Sequence, residues 1–267
     1  MNILFIGAHP DDCEVFGGGT AALFVAAGHR VKFISTTNGD AGHHILTDGA
    51  LVDRRSKESI AAASALGVDY EIFDNHDGML EPDLKNRLLI IKRIREWQAD
   101  IVITHRPNDY HPDHRYTSQL VQDAAYMVMV PNLVRETPPL RKNPLFLYFQ
   151  DHFTKPYPFQ PDIVVGIDEV LEQKISALHA HGSQFYEWLP WIEGFIEQVP
   201  QEEAERREWL RKTWLHIANK KTRKALQACY GEKKGKKFRY AEAFEICEYG
   251  YQPNADEIRD YFPFLRR

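Results

Sequence analysis

The chain has 267 residues, of which 43% are hydrophobic and 27% charged, a globular composition long enough to bury a substantial core. Its formal charge of −5 leaves nothing global to attract nucleic acid or an anionic membrane, and no apolar run approaches the roughly 20 residues that span a bilayer. Three cysteines, Cys13, Cys229 and Cys247, without C-x-x-C spacing argue against a disulfide framework or a cysteine zinc site; with a start (MNILFIGAHPDD) that does not read as a signal peptide, they point to a reducing cytoplasm.

The first half alternates short β-rich runs with helical periods. Asn2–Gly7 (NILFIG) reads as a buried strand, Gly17–Gly28 as a helix and Val31–Thr37 as the next strand. Leu51–Leu66 reads as a helix closed by Gly67, Tyr70–Phe73 as a short strand, and Asp83 to about Gln98 as a helix. Asp100–His105 (DIVITH) is a strand and Tyr116–Met129 a helix. This rhythm predicts an α/β fold, a mostly parallel sheet with helices on both faces. After Pro131 it changes. Leu145–Gln150 and Asp162–Asp168 read as strands and Asp168–Gln184 as a helix. The region after Pro200 is charge-rich and reads as mostly helical, with basic runs at Asn219–Lys224 and Glu232–Lys237. Without an internal repeat, linker or clean boundary, residues 1–267 read as a single domain with a helical C-terminal extension.

Two tetrapeptides carry the chemistry. His9-Pro10-Asp11-Asp12 follows the first strand, and His111-Pro112-Asp113-His114 follows DIVITH. Both fall at carboxyl ends of expected strands, the edge where open α/β sheets form their ligand crevice. Proline keeps the preceding histidine extended while its own φ suits a first helical turn, so positions three apart can converge. A single such motif reads most simply as a strand-end turn with an aspartate cap. Two at the same edge point to a metal. A catalytic zinc has three protein ligands and one open position, and His9, Asp12 and His114 supply that set. Two histidines and a carboxylate also suit non-haem iron, so Fe2+ or another divalent ion stands beside Zn2+. Asp11 is left over beside the open position, where a general base is needed. His111 is left as an imidazole able to polarise a carbonyl or donate a proton, with Asp113 to orient it.

The segments GAHPDDCEVFGGGT and NDYHPDHR resemble the two signatures of the PIG-L/LmbE-like N-acyl deacetylases. TTNGD (Thr36–Asp40), Arg55 and Glu58 in an R-x-x-E helix, the pair Asp77-Gly78, and H-G-S-Q (His181–Gln184) agree with that family as well. The match covers roughly residues 1–185, so the catalytic core is placed at about 1–185 and the mostly helical extension at 186–267. The resemblance implies a Rossmann-like fold, a zinc ion, and removal of an acyl group, usually acetyl, from an amino sugar such as N-acetylglucosamine. It implies His9, Asp12 and His114 as ligands, Asp11 as base, His111 as the oxyanion-stabilising histidine with Asp113 as its partner, and Arg55 and Asp77 as substrate-contacting residues.

Other features keep two readings. His43 and His44 line the crevice or sit on an exposed loop; His105 supports the ligands or is a satisfied buried histidine. His181 and Gln184 reach the site rim or a neighbouring subunit. FYEWLPWIEGF (Phe185–Phe195) is core, subunit interface or a sugar platform, and the basic runs are a solvated face or bind a phosphate-bearing partner. A small N-acylated amino sugar or glycoconjugate is the expected partner, with no nucleic acid and a possible homo-oligomer. The rival functions are a hydrolase of a non-sugar amide, an iron oxygenase, a non-catalytic binding protein and a nucleotide-binding Rossmann protein. Against the last, His9 stands where G-x-G-x-x-G needs its second glycine.

Overall fold

Ile3, Leu4, Phe5 and Ile6 are all fully buried, the mark of a strand covered on both faces. In the computed structural model, which describes residues 1–215 and 217–266, they form β1 (Asn2–Gly7), an interior strand of a seven-stranded sheet. The elements then run α1 (Asp12–Ala26), β2 (Arg30–Ser35), α2 (Asp48–Leu66), β3 (Asp69–Ile72), α3 (Leu84–Trp97), β4 (Ile101–Thr104), α4 (Pro112–Met127), β5 (Leu145–Phe149), β6 (Ile163–Gly166) and α5 (Leu171–Ala180). Beyond them lie α6 (Leu189–Ile192), α7 (Glu203–Trp214), α8 (Lys220–Tyr230), α9 (Glu232–Gly235), β7 (Ala241–Gly250) and α10 (Ala255–Tyr261).

The strand order is β3-β2-β1-β4-β5-β7-β6. β1 pairs in parallel with both β2 and β4, so the chain winds outward through β2 and β3 and then returns to the other side of β1. That reversal between β1 and β4 is the topological switch point, where a crevice opens beyond the strand ends. Alternate residues of β1 face opposite layers. Ile3 and Phe5 join a core with Leu23 and Phe24 of α1, Leu66 of α2 and Ile175 of α5. Leu4 and Ile6 join a second core with Ile90 and Ile94 of α3 and Leu120 and Val121 of α4.

Every strand expected in the first 185 residues is present, with ends shifted by at most two residues. Gly67 closes α2 in the left-handed region, and Asp83 caps α3 by accepting from Asn86 N–H. Three helices start earlier than the sequence suggested, α2 by one turn, at Asp48 rather than Leu51. α1 begins at Asp12 rather than Gly17, because Gly17–Gly19 hide a helical period that tertiary contact restores. A Cβ at Gly17 would stand 2.4 Å from Phe5 Cε1, and one at Gly19 2.8 Å from Ile167 Cγ2, so these glycines let α1 lie close on the sheet. α4 begins at Pro112 rather than Tyr116, with proline in its first turn and the His111 ring accepting from Asp113 N–H. The helix expected over Asp168–Gln184 instead stops at Ala180, before a π-type turn at Gln184–Trp188.

The C-terminal extension supplies the helices expected of it and also a strand. β7 lies antiparallel between β5 and β6. Its glutamates hid it. Glu242 is buried, where it accepts from Gly19 N–H, Thr20 N–H and Lys174 Nζ. Among the described residues no helix is long and apolar enough to cross a membrane.

Candidate metal centre

The loop after β1 turns sharply enough that a Cβ on Gly7 would stand 2.7 Å from Asp12 Cβ. Asp12 folds back over this turn. Its Oδ2 accepts from Ala8 N–H at 2.9 Å and His9 N–H at 2.8 Å, and lies 3.2 Å from His105 Nε2. Its Oδ1 stands 3.4 Å from His114 Nε2. Asp11, just before α1, holds a φ of +139°, a region that non-glycine residues rarely enter, and its side chain makes no cap hydrogen bond. The simple capping role is therefore not the one this aspartate has.

The second loop brings His111, Asp113 and His114 to the same place at the start of α4. His9 Nδ1 lies 3.2 Å from His114 Nε2 and 3.4 Å from Asp12 Oδ2. His114 Nε2 in turn lies 3.4 Å from the other oxygen of that carboxylate, Asp12 Oδ1, so the three side chains offer donor atoms to one place. Donors this close can share one ion at about 2.0–2.1 Å from each. All three residues are at least nine-tenths buried. The donor set thus fits a divalent metal. Two further His/Asp groups, His9-Asp77-His111-Asp113 and His105-Asp109-His114, share His9 and His114 with it, so the described residues gather one centre rather than three.

The supporting shell explains the rings' orientation. His9 turns Nε2 towards Asp77 Oδ1 at 3.2 Å and Asp113 Oδ2 at 3.3 Å. His114 Nδ1 lies 3.1 Å from Asp109 Oδ1, and His105 stacks on the His114 ring at 3.9 Å. Carboxylates behind metal-binding imidazoles fix tautomer and direction. His105 touches two members of the donor set, Asp12 and His114. Asp109 escaped the sequence reading, although it lies two residues before His111 and accepts its N–H. Asp113 accepts from Gly78 N–H at 2.6 Å and Leu80 N–H at 3.3 Å as well as facing His9; its bond to His111 runs through its own N–H, donated to His111 Nδ1 at 3.2 Å.

Burial pushes the Asp11 carboxyl up to about 6 against the pull of Arg55, and Asp12 adds to the rise. Asp12 goes the other way: burial opposes its charge, but His114 and His105 hold it well below the usual carboxylate range. Burial also works against charging His9, yet Asp113, Asp12 and Asp77 raise its pKa well above the ordinary histidine value. Burial and the charges of His9 and His114 lower His111. Arg55 is buried beside Asp11, donating to Pro10 O at 2.6 Å, Gly39 O at 3.1 Å and Asp11 Oδ2 at 3.2 Å, with Asp77 Oδ2 3.7 Å away.

The remaining candidates are placed as follows. Cys13 is buried, its thiol 3.8 Å from Ile34 O and pushed up by burial, so it is a packing residue. His43 bonds Glu187, which also takes Arg54. His181 meets Glu14 Oε1 at 2.9 Å, both fully buried, and Gln184 donates to Gly42 O. Phe185 and Tyr186 are core, while Trp191 is 46% exposed and stacks on His44.

The PIG-L family model, described as GlcNAc-PI de-N-acetylase, matches residues 4–125. Diacetylchitobiose deacetylase of Thermococcus kodakarensis is 31% identical over 204 residues, 71% of this chain and 74% of that protein. 4-Oxalmesaconate hydratase of Pseudomonas putida is 24% identical over 193 residues, 69% and 74% of the two chains. The structure of N,N′-diacetylchitobiose deacetylase from Pyrococcus horikoshii superposes with a TM-score of 0.68 at 26% identity, covering 96% of this chain and 88% of that one.

Proposed function

Because the chain belongs to the PIG-L/LmbE-like deacetylase family, we propose that it uses zinc to remove an N-acyl group, acetyl first of all, from an amino-sugar derivative. At the coarser level, the His/Asp cluster and the deacetylases it resembles support a metal-dependent amidohydrolase acting on an amide or acetyl group. The observation that carries the reading is the His9-Asp12-His114 group with an aspartate beside it, Asp11, that is not one of its members.

A divalent ion held by those three residues would supply Lewis acidity and acidify a water for attack. Asp11 takes the proton from the attacking water, and a carboxyl lifted to about 6 is suited to hold it and return it to the departing amine. His111 accepts at Nδ1 from Asp113 N–H, so its neutral ring carries the proton on Nε2. That N–H donates to the acyl oxygen as negative charge collects there, a contribution of about 3 kcal/mol for one such donor. Arg55 holds Asp11 in its strained turn, and with Asp77 it contributes to the substrate's binding wall.

Metal content and acetate release from N-acetylglucosamine and N,N′-diacetylchitobiose test this reading. Asp11→Asn is expected to keep the metal and lose at least about 100-fold in turnover; His114→Ala is expected to lose the metal. A metal-replete Asp11→Asn with full activity would sink the assignment. The Pseudomonas putida relative supports a second reading, hydration of a carbon–carbon double bond on the same scaffold. A metal-replete wild type that hydrates 4-oxalmesaconate and frees no acetate from either sugar would select it.

A further inference from the structure

The loop that leads into α4 carries Asp109, Tyr110 and His111, yet its own backbone does little to hold it. Among the described residues, 107–110 make no backbone–backbone hydrogen bond, and Pro107 and Pro112 have no N–H to donate. Arg115 does the holding instead. It stands one residue past His114 and reaches back around the start of its helix. Its Nη1 donates to Asp109 O at 2.7 Å and Tyr110 O at 3.0 Å, and its backbone N–H to His111 O at 3.2 Å. One residue thus binds three successive carbonyls of the loop.

What Asp109 touches makes the place of this loop matter. Its Oδ1 accepts from His111 N–H at 3.1 Å and stands 3.1 Å from His114 Nδ1. One carboxylate oxygen therefore joins the loop to a ring whose other nitrogen faces His9 and Asp12. Nothing competes for the Arg115 guanidinium. Among the described residues it forms no ion pair, and Asp123, which shares a cavity of about 820 Å³ with it, is met by Arg87 at 3.3 Å. Charge-assisted donors are strong and directional, so losing this one frees the peptide that carries the Asp109 carboxylate.

We propose that Arg115 is a positioning residue for the metal centre: by clipping the carbonyls of residues 109–111 it sets the place of the Asp109 carboxylate, and through it the direction in which His114 presents Nε2. The inference rests on the metal reading of the cluster and deepens it, because it extends control of His114 to a residue outside the donor set.

Zinc affinity of the purified protein, read by competition with a chelator, tests it. Arg115→Gln is expected to weaken zinc binding about fivefold or more, and Asp109→Asn more strongly. Because Arg115 acts through Asp109, the two losses are expected not to add: in the Asp109→Asn background, Arg115→Gln costs no more than about twofold. The visible spectrum of the cobalt-loaded protein is expected to change in Arg115→Gln as it does in Asp109→Asn. Gln119→Ala, exposed one turn along the same face of α4 and lining the same cavity, is the control and is expected to keep the wild-type affinity. Should Arg115→Gln fail to fold, Arg115→Lys, which keeps the charge on a donor of different shape, carries the same cycle. Unchanged affinity in the Arg115 variant, losses that add, or an equal loss in Gln119→Ala overturns the proposal. The assay reads zinc rather than acetate, so a wild type that binds zinc and frees no acetate defeats the amino-sugar reading alone; one that binds no zinc overturns both.

Discussion

Asp11 and Asp12 are adjacent, chemically identical and differently employed. Asp12 Oδ2 accepts from two backbone N–H groups and faces His105, and the neighbouring histidines favour the charged carboxylate, the form that could bind a metal. Asp11, at φ +139°, is turned out of that arrangement, and burial raises its carboxyl to about 6. A base must be ionised to act, so activity rises as pH passes upward through its pKa. The kcat/KM profile is therefore expected to show an acid limb centred at about pH 6 or below, since a bound cation adds to the pull of Arg55, and Asp11→Asn is expected to remove it. Asp109 acts one step further out, behind His114. Asp109→Asn is expected to weaken zinc affinity about 10- to 100-fold, read by competition with a chelator, while the fold persists. The convergence of His9, Asp12 and His114 was legible because each H-P-D-x motif states its own local geometry. Asp109 was not, because its role depends on which way the His114 ring turns after folding.

α1 shows how the element that carries the centre is held. Its amino end bears Asp12 of the candidate metal cluster, and its glycines press it against β1 and the segment after β6. Farther on, Glu14 pairs with His181, Glu58 of α2 accepts from Ser183 N–H and Oγ, and Gln184 reaches Gly42 O. The H-G-S-Q segment thus ties α1, α2 and the loop after β2 together. Gly17→Ala sets the clash with Phe5 against a gain in helix propensity of up to about 1 kcal/mol. Overpacking of this kind costs about 1–3 kcal/mol, so urea unfolding is expected to show a net loss. Gly18→Ala is the control. Its Cβ would meet nothing nearer than Lys174 Cγ at 3.7 Å, and it is expected to be neutral or mildly stabilising.

Across the whole chain, alternation of apolar strands and amphipathic helices was enough to place β1 to β6 and the layers on either face. It could not show β7, whose buried Glu242 reads as a surface residue until Lys174 and the α1 backbone are brought against it from opposite ends of the chain. Nor could it show that Arg106 lies buried beneath the loop at Asp151, a contact between strand ends that only the sheet order creates. The crevice itself was foreseeable, because the switch point follows from β1 having parallel neighbours on both sides. What acts in that crevice is tested most directly by titrating zinc into chelator-treated protein while following acetate release from N,N′-diacetylchitobiose. Release is expected to rise linearly and level off at one ion per chain. Activity that survives chelation, or zinc bound at one ion per chain with no acetate freed, would contradict the account.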